Sequence, residues 1–372
     1  MRVAILGARG IPNHYGGWDA VATELAPRLV TRGADVTVYC QTRYSLPNRP
    51  REWRGARLVY LPAIQKRALE SASHETLSML HTLFGRFDVV YVLGMRATVV
   101  YTVTAKTRST LFFNTDGHDH RRRKWSPNAR RYLEWSERFG VRLRPQGLIS
   151  DSAAIAEYFY DRYGVRPTFI PYGAPTLPTP DAEPVMRRGL EPGKYLLVIC
   201  RIEPENNVDK AIDAFQRVDT DMPLVVVGGT NYASEYARRI EQSASSSVRL
   251  AGWVFDPDEV NSLFQHSYAY IHGHEVGGTN PSLLHAMAAA SCVLANDVVY
   301  NREVLGPAGL YWNSVPALAE QIRTVIADPA LPAALGEQAE HRVRTLYDWD
   351  DVADRSFEVF RRAVDTASSR RR

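Results

Sequence analysis

Three stretches of this chain concentrate groups able to handle a multiply charged anion. In "CRIEPENN", Arg201 leaves the end of an apolar, strand-like run. A guanidinium there is costly to desolvate unless it binds an anion or pairs with Glu203 or Glu205. In "GHEVGGTNPSLLHAM", Gly277 and Gly278 allow a close backbone approach, and Thr279 or Asn280 can cap a helix with Pro281 at its first position. That helix is expected over Ser282–Ala290, with its positive end toward whatever the loop binds. In "GARGIPNHYGG" a glycine loop enters another helix, with Gly16 and Gly17 at the entry. Separately, these are a strand-end arginine, a well-capped helix and a tight strand–helix turn. Together they read as a diphosphate cradle.

A fourth stretch, "NTDGHDHRRRKW", places Asp116, His118, Asp119 and His120 in one loop. Metal ligation is one reading. Alternate spacing in a loop does not fix a coordination geometry. A polar cluster that hydrogen-bonds sugar hydroxyls or assists proton transfer suits the stretch better. Other chemistries lack their signatures. Gly7, Gly10, Gly16 and Gly17 do not form G-x-G-x-x-G, and the second strand ends "VYCQ" with no acid for a ribose, which argues against a nicotinamide cofactor. No Walker loop, G-x-S-x-G elbow or Cys-x-x-Cys pair occurs.

These residues need rigid elements behind them. "RVAIL", "DVTVYC", "ARLVYL", "DVVYVL", "STLFFN", "GLIS" and "TFIPY" read as strands. Helical patterns lie between most of them, at Trp18–Thr31, Leu69–Phe84 and Asn128–Leu143. Short apolar strands alternating with helices predict a parallel sheet covered on both faces. The pattern breaks at "GAPTLPTPDAEP", where four prolines in twelve residues prevent a helix or central strand. It then resumes with "KYLLVIC", "PLVVVG", "VRLAG", "YAYIHG" and "CVLAND", and closes with helices over Val315–Ala327, Leu331–Tyr347 and Asp350–Ala367. The expected organisation is a first domain over 1–172, a linker over 173–190, a second domain over 191–347 and a final helix with a basic tail over 348–372. Ligands in doubly wound folds bind beyond the carboxyl ends of the strands, so two facing domains predict a cleft between them.

Composition bounds the rest. At 372 residues, two domains are expected. A hydrophobic content of 45% and a charged content of 23% suit a globular protein with sizeable cores. No apolar run approaches a membrane span, and "MRVAILGARG" is too short in its apolar part for a signal peptide. The three cysteines, Cys40, Cys200 and Cys292, are isolated, which fits a reducing cytoplasm. The net charge of +4 is mild, and only five of the 45 basic residues are lysine. Basic clusters occur at Arg121–Lys124, around Arg138–Arg144 and in the tail "SSRRRR". They read as solvated surface or as attraction to anionic lipid headgroups. Nothing points to nucleic acid.

The motifs converge on a known family. Through "GARGIPNHYGGWDAVATELAPRLVTRGADVTVYCQ", "NTDG…RRRKW", "FIPYGA", "CRIEPENNVDKAIDAF", "VVGGTNYASEYARRI", "AYIHGHEVGGTNPSLLHAMA" and "YNREVLGPAGLYW", nearly the whole chain resembles the retaining GT-B glycosyltransferases of family 4. Within them it is similar to the bacterial rhamnosyltransferase-type branch of surface polysaccharide synthesis. The resemblance implies two Rossmann-like domains, transfer with retention and no obligatory metal or cofactor. It implies a nucleotide-sugar donor held mainly by the second domain and a saccharide or lipid-linked saccharide acceptor against the first. Gly16 and Gly17 then match the loop beside the donor diphosphate, and Arg201 the diphosphate arginine. Asn206 stands where the broader family has a lysine. Gly277, Gly278, Thr279, Asn280 and Ser282 match the donor loop. Asp116 and His118 fall where the reacting sugar sits, with Asp119 and His120 on the acceptor side. The last helix resembles one that crosses back to the first domain.

Two positions depart from the family. Its acidic pair falls at Gly277 and His285. Glu275 is a substitute for the first acid. The second ordinarily accepts hydrogen bonds from ribose hydroxyls, whereas a neutral imidazole accepts one. That weakens a ribonucleotide donor and favours dTDP-L-rhamnose, which lacks the 2′-hydroxyl. A non-catalytic glycan- or partner-binding relative and a nucleotide-sugar epimerase are the alternatives. The expected location is the cytoplasm, at the inner face of the membrane if the acceptor is lipid-linked.

Overall fold

A computed structural model describes residues 1–12, 16–44, 48–66, 69–107, 109–115, 117–143, 145–230 and 234–369, the side chains of 104–106 excepted. The chain divides into two compact units, Met1–Tyr172 with Trp349–Arg372, and Gly173–Asp348.

The first unit is built on strands β1 (Arg2–Leu6), β2 (Asp35–Gln41), β3 (Glu52–Trp53), β4 (Ala56–Leu61), β5 (Val89–Leu93), β6 (Thr110–Asn114), β7 (Gly147–Ser150) and β8 (Thr168–Phe169). Their order is β3-β4-β2-β1-β5-β6-β7-β8, parallel except for the β3–β4 pair. β5 and β6 are buried along their whole length, as apolar runs in a sheet covered on both faces must be. Helix Gly17–Thr31 packs against helix Trp349–Ser369. From the latter, fully buried Phe360 lies 5.3 Å from Tyr91 and 5.0 Å from Phe112, ring to ring. Burying such a ring contributes about 2–3 kcal/mol. Right-handed crossovers put helix Glu70–Thr82, the 3₁₀ segment Thr98–Lys106 and helix Pro127–Arg142 on the opposite face.

The second unit contains β9 (Leu196–Ile199), β10 (Leu224–Val227), β11 (Val248–Gly252), β12 (Ala269–His272), β13 (Val293–Asn296) and β14 (Leu310–Trp312). All pair in parallel, in the order β11-β10-β9-β12-β13-β14. β14 is an addition to the sequence reading, which had no strand there. Trp312 anchors it, fully buried and donating from Nε1 to Leu294 O at 3.1 Å. The proline-rich stretch is docked rather than loose. Asp181 O accepts from Ser262 Oγ at 2.6 Å and Pro178 O from Gln265 Nε2 at 2.9 Å. Within the expected linker, residues Glu183–Arg187 form a short helix with Pro184 in its first turn and Val185 buried.

In each sheet the strand order reverses once, between β1 and β5 and between β9 and β12. The loops leaving the carboxyl ends of those strands are where a doubly wound unit binds ligands.

Candidate functional site

At the second unit's reversal, two loops interlock. Asn206 donates from Nδ2 to Arg201 O at 2.7 Å, and Asn207 from Nδ2 to Gly273 O at 2.7 Å. A Cβ on Gly273 would stand 2.2 Å from Asn206 O, so only glycine lets the loops meet. Glu275 N–H donates to Glu205 O at 2.9 Å, while its carboxylate lies 3.7 Å from Lys210 Nζ. Asn206, expected on the donor, thus spends its amide N–H bracing the turn that carries half-buried Arg201.

Beyond this clasp the loop opens. A Cβ at Gly277 would meet nothing within 4 Å. Gly278 and Thr279 are buried. Asn280 is the N-cap of helix Pro281–Ala288, its Oδ1 accepting from Ser282 N–H at 3.0 Å and Ser282 Oγ at 2.8 Å. Tyr270 donates to Ser282 Oγ at 3.2 Å, and its hydroxyl lies 3.1 Å from His272 Nδ1. The first turn of the helix is therefore pinned from below and its axis is fixed.

Further along this helix, His285 turns toward helix Pro257–Gln265. Its ring stacks on Phe264 at 4.6 Å, and Nε2 lies 2.9 Å from Asn261 Oδ1. Burial pushes its pKa down to about 4, so the ring is neutral at pH 7. With Nε2–H donating to Asn261 Oδ1, the neutral ring keeps only Nδ1 as an acceptor.

At the first unit's reversal, charge is settled internally. Buried Asp19, in the first turn of helix Gly17–Thr31, accepts from Arg9 N–H at 2.6 Å and Gly10 N–H at 3.3 Å. The Arg9 and Gly10 amides of the glycine loop are thus occupied, and exposed Gly16 with Gly17 remains at the helix entry. Gly7, at φ +97°, would put a Cβ 2.5 Å from Leu93 O, so the β1 and β5 turns need glycine to touch. Next to them, Arg96 stacks over Trp18 at 4.2 Å and clamps Asp119 with Nε and Nη2. Arg122 adds a third bond to Asp119 at 2.9 Å. Burial alone would raise the Asp119 pKa, but Arg96 and then Arg122 hold it well below the usual carboxylate range. Asp119, expected on the acceptor side, binds the chain's own arginines through its carboxylate.

His120 lies 3.4 Å from Glu137 Oε2 through Nδ1. Glu137 Oε1 also accepts from Tyr158 at 2.8 Å and Tyr163 at 2.7 Å. His118 is buried edge-on to Tyr158 at 4.2 Å. Burial, then Arg121, pushes its pKa down to about 3. Asp116 lies outside the described residues. Arg96, Thr115, Asp119, His120 and Glu137 line a cavity of about 20 Å³, room for about one water.

The structure thus joins Arg201, Asn206, Glu275 and Gly277–Ser282 around one pair of loops, and Asp119 and His120 around another. Asp19, Arg96, Glu137 and Lys210 were missed. Arg96 carried a signal, since it follows closely on an apolar strand's carboxyl end. Glu137 and Lys210 depend on partners remote in sequence, and Asp19 on the amides of the loop before its helix.

Residues 1–175 match a domain of unknown function (DUF1972), and residues 193–328 match the glycosyl transferases group 1 family. No curated protein sequence matches the chain. Among solved structures, sucrose-phosphate synthase from Thermosynechococcus elongatus is similar at 17% identity, over 98% of this chain and 99% of that one, with a TM-score of 0.79. Anabaena Alr3699/HepE in complex with UDP is similar at 17% identity, over 96% and 99%, with a TM-score of 0.75. A glycosyltransferase from Rickettsia africae is similar at 12% identity, over 98% of both chains, with a TM-score of 0.73. The fold is GT-B. At these identities the likeness concerns the two Rossmann-like units, and the group 1 match concerns the unit that carries the Asn280-capped loop.

Proposed function

We propose that this protein is a glycosyltransferase that moves a sugar from a nucleoside-diphosphate donor to a saccharide or lipid-linked saccharide hydroxyl, with retention. One observation carries the reading. In the unit that matches group 1 glycosyl transferases, the reversal of strand order presents an open glycine loop and a pinned helix N-terminus after β12, next to the strand β9 that leads to Arg201. That arrangement favours an anion and costs no reorganisation as charge develops on a leaving diphosphate. The similar Anabaena protein carries UDP and UDP-glucose in its complexes, which supports a nucleotide-sugar donor.

Within that class the donor we propose is dTDP-L-rhamnose. His285 supplies no carboxylate for a ribose 2′-hydroxyl, and a deoxyribonucleotide has none to satisfy. The first unit takes the acceptor. Its polar cluster is suited to hydroxyls, because its charges already neutralise one another.

The test has two parts. Donor nucleotides are screened by thermal shift with dTDP, UDP, GDP and ADP, because a ligand of the native state raises its stability. dTDP should give the largest rise. Turnover is then compared between the wild type and Arg201→Ala. Loss of one transition-state donor costs about 3 kcal/mol, so turnover should fall on the order of a hundredfold with little change in melting temperature. Near-wild-type turnover in the variant would sink the assignment.

A further inference from the structure

We propose that His272 and Tyr270 are positioning residues, which set the direction of a buried hydrogen-bond chain so that Asn280 offers its amide N–H groups to the donor diphosphate. The inference rests on the donor reading above and adds a side chain to it.

The direction of the chain follows from its far end. The backbone N–H of Ser282 can only donate, so the Asn280 atom that it meets at 3.0 Å is the amide oxygen. Ser282 Oγ lies 2.8 Å from the same oxygen and must spend its one proton there, since two bare oxygens repel. Toward Tyr270, 3.2 Å away, Ser282 Oγ can then only accept. The tyrosine spends its own proton on Ser282; its other oxygen neighbour, Ile199 O, is farther, at 3.4 Å. On its remaining side, at 3.1 Å, the Tyr270 hydroxyl faces His272 Nδ1 as an acceptor, so Nδ1 carries the hydrogen.

The imidazole suits that role. His272 closes β12, fully buried, with its ring stacked on His274 at 4.4 Å. Burial pushes its pKa down to about 3, so at pH 7 one ring nitrogen donates and the other accepts. Nε2 has no hydrogen-bond partner, and with Nδ1 protonated no N–H is left unmet there. Run the other way, the chain would turn a Ser282 lone pair onto the Asn280 oxygen and loosen it.

Held by two donors of its own helix, the Asn280 amide is locked, and its nitrogen lies away from Ser282 N–H. Asn280 is half-buried, and among the described residues its Nδ2 has no partner. Two uncharged donors at a helix entry add to the pull of the helix end on an anion.

The test titrates inorganic pyrophosphate and dTDP against the full chain by calorimetry. Asn280→Ser keeps a capping oxygen and has no amide, so affinity for both should fall on the order of tenfold, as for one lost hydrogen bond to a charged group, at an unchanged melting temperature. His272→Leu removes the donor that starts the chain and should weaken both ligands severalfold. His272→Asn, whose amide reaches the place of Nδ1, should restore them; His272→Gln, which reaches the place of Nε2, should not. NMR of the imidazole nitrogens in the wild type should show His272 as the Nδ1–H form, a readout that stands even if the His272 variants fold poorly. The proposal is overturned by wild-type affinity in Asn280→Ser or by equal rescue from Asn and Gln. It is equally overturned by an Nε2–H tautomer, which would turn toward Asn301 beside the ring and reverse the chain. A wild type that binds neither ligand overturns the donor reading as well; a wild type that binds both, matched by Asn280→Ser, overturns this inference alone.

Discussion

The two reversals of strand order are built on one plan and treat charge in opposite ways. In the first unit, Asp119 is closed by Arg96 and Arg122, Asp19 by two backbone amides, and Glu137 by a histidine and two tyrosines. In the second, hydrogen bonds lock the base of the loops, while the tip at Gly277 opens onto nothing within 4 Å. A site that neutralises itself keeps its shape. A site that keeps a helix N-terminus and an arginine together is preorganised for an anion.

The largest effect expected from this contrast is at Asp119. Asp119→Ala leaves two largely buried guanidiniums without their shared carboxylate, and removal of one partner from a buried pair costs about 3–5 kcal/mol. Urea unfolding should show it, with nucleotide binding to the second unit unchanged in the folded protein. A loss under about 1 kcal/mol would place the pair among surface salt bridges and break the contrast. Gly273→Ala comes next. Its Cβ meets backbone, not a side chain that can turn aside, so about 1–3 kcal/mol is expected from overpacking. Nucleotide affinity should fall with it, because the clasp holds Arg201 and the loop in register.

Asn280 sharpens the comparison further. Asn280→Ala removes the cap and should cost about 1 kcal/mol. Asn280→Asp keeps the cap but puts a negative charge at the helix entry, so stability should hold while nucleotide affinity drops about fivefold. Equal affinities for Asp and Asn would remove the helix end from anion binding.

The smallest effect concerns pH. His118 and His285 have folded pKa values of about 3 and 4, below the unfolded value of 6.5. The unfolded chain therefore binds more protons in that window. The stability they contribute is fully present above pH 6.5 and is lost as pH falls toward 4 and 3. His285→Asn should shallow that acid limb in denaturant titrations. Nucleotide affinity should stay flat between pH 6 and 8, since His285 is neutral there. A rise in affinity toward pH 6 would mean that bound nucleotide protonates it.

What the sequence showed clearly was local. The Asn280 cap, Pro281 and the glycine pair announce themselves within a few residues, and the helix begins at Pro281 as expected but ends at Ala288, two residues short of Ala290. The alternation of strands and helices was equally plain. The missed features depend on how the chain turns back on itself. Asn206 matched a family position, yet its side chain answers to Arg201 O within its own turn; His285 answers to Asn261, 24 residues away. β14 is three residues long, too short for periodicity to register. Glu137 looked like one more charge on a basic helix until Tyr158 and Tyr163 closed on it.

The helix Trp349–Ser369 belongs to the unit that opens the chain, with Phe360 seated on β5 and β6. As the chain leaves the ribosome, the unit begun first is therefore finished last. The second unit can complete its sheet while the first still has a face of Tyr91 and Phe112 uncovered. That interval is a window for aggregation or chaperone capture, and it closes only when Phe360 arrives.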